Sequence, residues 1–136
     1  MGKLIFLDSG GLIAYFVTKD AYHSRAVSAI RRTLRAGGRF LTTNYVFDEV
    51  VTRVRRRGGY VASRRVGGEI LKSKVITRIY VDQELEASAW DLYEKYHDHE
   101  FSFTDVVSFA VMDRAGLRDV LTFDDDFKRV GYAVVN

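Results

Sequence analysis

Residues 3–8 read Lys-Leu-Ile-Phe-Leu-Asp, a short apolar run that ends in a single acid. A run of this length is typical of a strand that a parallel sheet buries on both faces. Residues 119–123, Asp-Val-Leu-Thr-Phe, form a similar run, and Asp124 follows it. Because open α/β sheets place their ligands at the carboxyl ends of the strands, we expect Asp8 and Asp124 to face the same crevice.

The rest of the chain alternates between predicted helices and predicted strands. Thr43 or Asn44 should cap one helix that the pair Gly58-Gly59 ends, and Gly67-Gly68 marks a point where the following helix could break. Alternation from end to end predicts an α/β fold, namely a three-layer α/β/α sandwich with a central, mostly parallel sheet. Helices are predicted over 10–18, 21–36, 44–57, 60–73, 83–97 and 105–115, and further strands over 39–42, 75–81 and 132–135.

The composition indicates one globular domain over residues 1–136. Hydrophobic residues make up 47% of the chain and aromatic residues 13%, which is enough for a substantial core. The chain contains no cysteine, so disulfides, thiolate nucleophiles and cysteine-based zinc sites are excluded. No apolar stretch reaches the ~20 residues of a membrane span, and a strand begins too early for a signal peptide. We therefore expect a cytoplasmic protein with no membrane partner.

One acid of the predicted third helix has a position that suits a buried site. Val46 and Val50 belong to the buried arc of this helix, and Glu49 lies at the edge of that arc. Asp48 is rotated by about 100° and should face solvent. The alternative for Glu49 is a surface acid paired with Arg53 four residues later.

Asp105 opens a helix that is almost wholly apolar over 106–112. Acids are common at helix N-termini, where they complement the helix dipole, and Thr104 is expected to cap this helix just as Asp82 caps the preceding one. However, a helix with so little polar surface should be central, and a buried acid needs a partner. Asp105 is therefore a second helical candidate for the site.

The four acids Asp8, Glu49, Asp105 and Asp124 would form one carboxylate cluster. Crowded carboxylates repel one another unless a divalent cation offsets their charge, and hard oxygen ligands suit Mg²⁺ or Mn²⁺. The sequence therefore predicts a Mg²⁺ or Mn²⁺ site. Asp126 is an additional or alternative ligand to Asp124. The hydroxyls that adjoin two of the acids, on Ser9 and Thr104, can orient ligands or water, and both also fit as caps.

Arginines are concentrated after Glu49, although the net charge of the chain is only +3. The planar guanidinium suits phosphate better than the ammonium of lysine does. Three interpretations remain open: a solvated helix face, a surface for nucleic acid, or a docking site for an acidic partner. The arginines concerned are Arg53, Arg55, Arg56, Arg57, Arg64 and Arg65.

Five short motifs follow one another along the chain. They are Leu7-Asp8-Ser9, Asp20 to Ala26, Thr42-Thr43-Asn44 with Phe47-Asp48-Glu49-Val50, Ser102-Phe103-Thr104-Asp105, and Leu121 to Phe127. The second motif has the form Asp-x-x-His-x-x-Ala. Together the motifs resemble the PIN-domain nucleases, most closely the VapC-type toxins of toxin–antitoxin pairs. The departures from the family pattern are Gly10-Gly11 after the first motif and alanine where proline is frequent in the second.

The resemblance implies a Mg²⁺- or Mn²⁺-dependent endoribonuclease that hydrolyses RNA with metal-activated water. Its first three conserved acids would be Asp8, Glu49 and Asp105, and its more variable fourth acid Asp124 or Asp126. It also implies a cognate antitoxin and a homodimer. The alternatives are a PIN-like nuclease of RNA processing or DNA repair without an antitoxin, and a non-catalytic module that binds nucleic acid or protein. A haloacid-type phosphatase would need a second Asp at position 10, which is glycine.

Overall fold

The computed structural model describes residues 2–136, and its strands form one five-stranded sheet in the order β3-β2-β1-β4-β5. Every pair of neighbouring strands is parallel, so the predicted α/β class is confirmed and the sheet is wholly rather than mostly parallel. The strands are β1 (Leu4–Leu7), β2 (Arg39–Thr43), β3 (Ile76–Ile79), β4 (Asp119–Leu121) and β5 (Ala133–Val134).

Helices connect the strands and cover the sheet. The first helix packs against the second and the third, and the fourth packs against the fifth. Right-handed crossovers between parallel strands place these two groups on opposite faces, which gives the predicted three layers. None of the helices within residues 2–136 has the length and apolarity that a membrane span requires. The helices are α1 (Ser9–Phe16), α2 (His23–Arg35), α3 (Asn44–Lys72), α4 (Gln83–Lys95), α5 (Phe103–Ala115) and the short α6 (Asp126–Arg129).

The neighbouring strands β1 and β4 supply the centre of the core. Phe6 and Leu7 of β1 and Leu121 of β4 are almost completely buried, and the apolar helix α5 buries Val106 and Phe109 against them. Both faces of the central strands are covered, as predicted, and this explains why the sequences of these strands are continuously apolar.

The predicted cap of α5 is wrong by two residues. The Ser102 hydroxyl accepts a hydrogen bond from the backbone N–H of Asp105 at 3.1 Å, and the Asp105 carboxylate accepts one from the N–H of Ser102 at 3.0 Å. This reciprocal arrangement is a capping box, so the helix begins at Phe103 and Thr104 lies inside it. In contrast, the predicted caps Thr43 and Asp82 do cap α3 and α4.

The helix α3 changes direction at Gly59. Its φ of +86° is a left-handed value that glycine adopts without strain, so the predicted end of a helix at Gly58-Gly59 appears as a kink. The pair Gly67-Gly68 remains helical, so no break occurs there. The short helix α6 was not predicted, because its four residues follow an acidic triplet that is typical of a turn.

Gly11 allows α1 to lie directly against β4. A Cβ atom at this position would stand 2.4 Å from the carbonyl oxygen of Leu121, which is a backbone atom and cannot move aside cheaply. We predict that Gly11→Ala lowers the free energy of unfolding by at least about 2 kcal/mol, a typical cost of overpacking. Chemical denaturation monitored by circular dichroism measures this change.

Gly10→Ala is the matched control in the same turn. The nearest atom to a Cβ at Gly10 is an Asp8 carboxylate oxygen at 3.9 Å, which is ordinary contact. Alanine has the higher helix propensity by about 1 kcal/mol, so this variant should be as stable as the wild type or more stable. Equal stabilities for the two alanine variants would show that the close approach at Gly11 has no energetic consequence.

Candidate metal centre

The two strands that precede the acids lie side by side in the middle of the sheet. Phe6 pairs with Val120 and Leu7 with Leu121, so β1 and β4 are neighbours although they are more than 100 residues apart. The chain leaves β1 toward β2 and leaves β4 toward β5 in the opposite direction. The carboxyl ends of β1 and β4 therefore flank a topological switch point, the position at which such sheets bind ligands.

Helix topology brings the other two acids to the same edge. The helix α3 begins directly after the carboxyl end of β2, and Glu49 lies in its second turn. The helix α5 runs back toward the amino end of β4, so its first turn, which carries Asp105, also lies at the carboxyl edge. Glu49 is half-buried and Asp48 is exposed, as helical phase predicted.

Asp8 is the most deeply placed acid, with 2% of its surface exposed. Its carboxylate accepts a hydrogen bond from the Thr122 hydroxyl at 2.9 Å. Burial, together with the charges of Asp124 and Asp105, raises the pKa of Asp8 to about 7, although hydrogen bonds from Thr122 and Ser9 act in the opposite direction. The contribution of Thr122 was not predicted. The sequence offered one indication of it, a polar residue inside an apolar run two positions before Asp124.

The pKa values of the other acids show that their charges interact. Burial raises the pKa of Asp105 to about 6, with contributions from Asp124 and Asp126, although the N–H of Ser102 lowers it. Partial burial also raises the pKa of Asp124, and the charges of Asp126, Asp125 and Glu49 add to this effect. The predicted ligands Asp8, Glu49, Asp105, Asp124 and Asp126 are thus parts of one electrostatic cluster.

Asp124 and Asp126 differ in their surroundings. Asp126 pairs with Arg129, with 3.2 Å between Oδ1 and Nη1, and its backbone N–H donates to the Asp124 carboxylate at 2.9 Å. Arg129 already offsets part of the Asp126 charge, whereas the charge of Asp124 acts on both Asp8 and Asp105. These contacts favour Asp124 as the fourth ligand.

The chemistry of this cluster fits a divalent cation with hard oxygen ligands. Within residues 2–136 Asp8 has no ion-pair partner, and the hydrogen bonds to its carboxylate come from neutral groups, the Thr122 hydroxyl and the backbone of Ser9. In the same part of the chain, no group of three or more His, Asp or Glu side chains has the arrangement to hold an ion as it stands. The carboxylates would therefore have to rotate toward a common point in order to share Mg²⁺ or Mn²⁺.

Arg53 contacts Ser9, the residue after Asp8, and also lines a neighbouring cleft. Its Nη1 donates to the Ser9 hydroxyl at 3.4 Å, and among the described residues it forms no ion pair with Glu49, so that alternative for Glu49 is not supported. Arg53 also lines a cleft of about 400 Å³ between the end of α1 and the kinked part of α3. The other cationic residues that line this cleft are Lys19, Arg57 and Arg65.

The remaining arginines face elsewhere. Arg64, together with Arg65, lines a largely apolar groove on the second half of α3. The guanidinium of Arg55 lies 5.4 Å from the ring centroid of Tyr60, and Arg56 is exposed. The predicted arginine surface is therefore not continuous. Arg53, which contacts Ser9, and Arg57 line the cleft, Arg64 lines the separate groove, and Arg65 borders both.

Comparison with known proteins identifies relatives of the whole chain. A family model described as PIN domain matches residues 5–132. The 23S rRNA-specific endonuclease VapC20 of Mycobacterium tuberculosis is 31% identical over 133 residues, which cover 97% of this chain and 98% of the relative.

Solved structures agree with this relationship. The crystal structure of Mycobacterium tuberculosis VapC20, described as a Sarcin-Ricin loop cleaving toxin, has a TM-score of 0.87 and 30% identity, and the match covers 95% of this chain and 96% of that one. VapBC2 from Rickettsia felis, bound to a DNA fragment from its promoter, has a TM-score of 0.73 at 10% identity, with 98% and 97% of the two chains covered. At that identity the second match shows the shared fold alone.

Proposed function

Because this chain belongs to the PIN-domain family and, within it, to the VapC-type nucleases, we propose that it is a Mg²⁺- or Mn²⁺-dependent endoribonuclease and the toxin of a type II toxin–antitoxin pair. One observation carries the metal-dependent part of this proposal. Asp8 is a carboxylate at the switch point whose burial, with the charges of the candidate ligands Asp124 and Asp105, raises its pKa to about 7. A cation is the group that such a cluster lacks.

In this proposal each acid has a distinct position around the reaction centre. Asp8 and Asp124 supply oxygen ligands from the strand ends, and Glu49 and Asp105 supply them from the two helices, with Asp126 as an additional or alternative ligand. A divalent ion held there would lower the pKa of water and offset the charge of the scissile phosphate. In-line attack of water would leave a 5′-phosphate and a 3′-hydroxyl.

Neighbouring groups would hold these acids in place. The Thr122 hydroxyl orients the Asp8 carboxylate, and the capping box with Ser102 orients Asp105. Arg53 lies beside Ser9, where its guanidinium can hold a phosphate next to the scissile one. Thr104 contributes its backbone carbonyl, which accepts a hydrogen bond from the Ser108 hydroxyl at 3.0 Å, and has no assigned role in this mechanism.

The relatives also suggest the substrate and the partners. The name of VapC20 makes 23S rRNA the first RNA to test with this chain. We propose a cognate antitoxin, a homodimer and a cytoplasmic location on the basis of family membership, and we retain residues 1–136 as one domain because all five strands join one sheet. An acidic, amphipathic segment would suit the apolar groove that Arg64 and Arg65 flank. Processing or repair nucleases without an antitoxin remain the alternative.

An RNA cleavage assay tests this proposal. Purified protein should cut RNA that contains the 23S sequence when Mg²⁺ or Mn²⁺ is present, and EDTA should stop cleavage. Glu49→Gln should remove activity. Asp48→Asn, which changes the exposed acid next to Glu49, should retain it. Cleavage that continues in EDTA would refute metal dependence, and a lack of cleavage of any RNA with either ion would refute the ribonuclease assignment.

The division of the arginines gives a prediction for RNA binding. Changing Arg57 and Arg65 to alanine should weaken RNA binding, because both line the cleft that also contains Arg53, the arginine that contacts Ser9. Each lost phosphate contact should reduce the slope of log K against log salt by roughly 0.7 for single strands. Fluorescence anisotropy at several salt concentrations measures both the affinity and the slope.

The matched control is the double alanine variant of Arg55 and Arg56, which removes the same charge from the exposed side of the same helix. It should reduce binding and the salt slope less than the cleft variant does. Equal losses in the two variants would indicate a diffuse electrostatic effect instead of contacts in the cleft. Unchanged RNA binding in both variants would leave the solvated face or the partner surface as the remaining interpretations.

A further inference from the structure

An aromatic pair lies next to the acids and has no role in the chemistry described so far. The ring of Tyr22, just before α2, stacks on the ring of Phe123, with centroids 4.7 Å apart and an angle of 4° between the planes. Phe123 immediately precedes Asp124, so the stack adjoins the candidate metal centre. Tyr22 is 42% exposed, so a large part of its ring remains open to solvent in spite of the stack.

Arg25 lies beside this stack and not on top of it. Its Cζ atom is 5.5 Å from the Tyr22 centroid and 5.4 Å from the Phe123 centroid. A guanidinium above the outer face of one ring would be much farther from the other ring, so the near-equal distances place it at the common edge. Its Nη2 donates to the Asn136 side chain at 2.8 Å, which holds it there. Arg25 therefore leaves the outer face of Tyr22 uncovered.

The stack forms one wall of a cleft of about 500 Å³. Asp124 lies at one side of this cleft, and Lys128 adds a second cation to that of Arg25. This volume is in the range of small-ligand sites. The cleft thus combines an exposed aromatic side chain and two cations with the acids Asp124 and Asp125. An aromatic side chain for base stacking and cations for phosphate contacts are the features by which proteins hold single-stranded nucleotides.

We propose that Tyr22 is the stacking platform for a base of single-stranded RNA that adjoins the scissile phosphate, with Arg25 and Lys128 beside the phosphate of that nucleotide. This inference rests on the proposed ribonuclease function and adds a subsite to it. Stacking tolerates every base, because each base has an aromatic face. The subsite therefore positions the strand relative to the acids without selecting a sequence.

A purely structural role is the competing explanation. The stack joins the start of α2 to the segment after β4, and the contact between Arg25 and Asn136 ties the end of the chain to α2. A structural role predicts a loss of thermal stability when Tyr22 is replaced and no change in the environment of any RNA base. The two explanations therefore differ in a spectroscopic signal from the RNA itself.

The experiment uses short single-stranded RNAs with 2-aminopurine at one position each, together with the wild type, Tyr22→Phe and Tyr22→Leu. Ca²⁺ replaces Mg²⁺ during binding, because it takes the same hard oxygen ligands with looser geometry. The control is Tyr80→Leu, which removes another exposed tyrosine with an arginine, Arg78, 4.9 Å from its ring. Tyr80 follows β3, at the opposite edge of the sheet from this cleft. Cleavage with Mn²⁺ and the melting temperature are measured for each variant.

We expect the wild type and Tyr22→Phe to quench 2-aminopurine at one position next to the cleaved bond. Tyr22→Leu should abolish this quenching and weaken RNA binding roughly 10-fold, whereas Tyr80→Leu should behave as the wild type. Wild-type protein that cleaves RNA but quenches no position would overturn the stacking subsite and leave the nuclease assignment intact. A Tyr22→Leu variant with a lower melting temperature and unchanged quenching would also overturn it. Wild-type protein that cleaves no RNA would overturn both proposals.

Discussion

Replacing Asp105 with asparagine should reduce RNA cleavage by at least about 100-fold and leave the metal-free protein as stable as the wild type or more stable. Removal of one charged ligand weakens the electrostatic stabilisation of the reacting phosphate, and single groups of this kind contribute roughly 10²–10³ in rate. The same change relieves repulsion in a cluster where burial and the charges of Asp124 and Asp126 raise the pKa of Asp105 to about 6. Initial cleavage rates and thermal melts in EDTA measure the two effects.

Asparagine separates the metal role of Asp105 from its structural role. Its side-chain oxygen can still accept the hydrogen bond from the Ser102 N–H that closes the capping box. Asp105→Ala loses both roles, so it should be inactive and less stable than Asp105→Asn by about 1 kcal/mol. Asp91→Asn, which changes an exposed acid on α4, is the control and should cleave normally. Wild-type cleavage by Asp105→Asn would show that Asp105 is not a ligand.

In the absence of metal, the free energy of unfolding should decrease as the pH rises from about 4 to about 7, because of Asp8. Burial and neighbouring charges raise the pKa of Asp8 from 3.8 to about 7 in the folded state, so the folded protein binds this proton more tightly than the unfolded chain does. The contribution is fully present below the unfolded pKa and is lost as the pH rises through the folded pKa. One pKa unit corresponds to about 1.4 kcal/mol, so the loss is on the order of a few kcal/mol.

Asp8→Asn should remove this pH dependence, since asparagine does not ionise. The melting temperature of the variant should exceed that of the wild type at pH 8 in EDTA by roughly 5–15 °C, and the two should converge at pH 4. Mn²⁺ at pH 8 should raise the melting temperature of the wild type and not that of the variant. Parallel melting curves across this pH range would contradict the assignment of Asp8 as the ionisable centre of the cluster.

Much of the fold could be predicted from the sequence, because its signals are local and strong. The apolar runs before Asp8 and Asp124 have the length of strands buried on both faces, and parallel topology then brings their ends to one edge. Helical phase distinguishes Glu49 from Asp48 without tertiary information. The role of these acids as ligands remains a prediction, since it depends on how carboxylates rotate around an ion.

The features that sequence analysis missed depend on contacts between distant segments. The Thr122 hydroxyl donates a hydrogen bond to Asp8, which is 114 positions away in the sequence. The ring of Tyr22 stacks on that of Phe123, which is also distant in the sequence. The start of α5 was misplaced because Ser102 and Thr104 are both good caps, and only the reciprocal bond with Asp105 decides between them. The direction of α3 after Gly59 decides that Arg65 borders both the cleft and the groove, and a glycine in the sequence does not specify that angle.

Anomalous scattering from Mn²⁺ in crystals of the protein tests most directly whether the carboxylates share an ion. We predict an anomalous peak at the carboxyl edge of β1 and β4, within ligand distance of Asp8 and Asp105 and of at least one of Glu49, Asp124 and Asp126. The peak should be absent in Asp105→Asn crystals that are soaked in the same way. A wild-type crystal soaked in Mn²⁺ that shows no peak among these acids, or a peak only at other residues, would contradict the proposed metal centre.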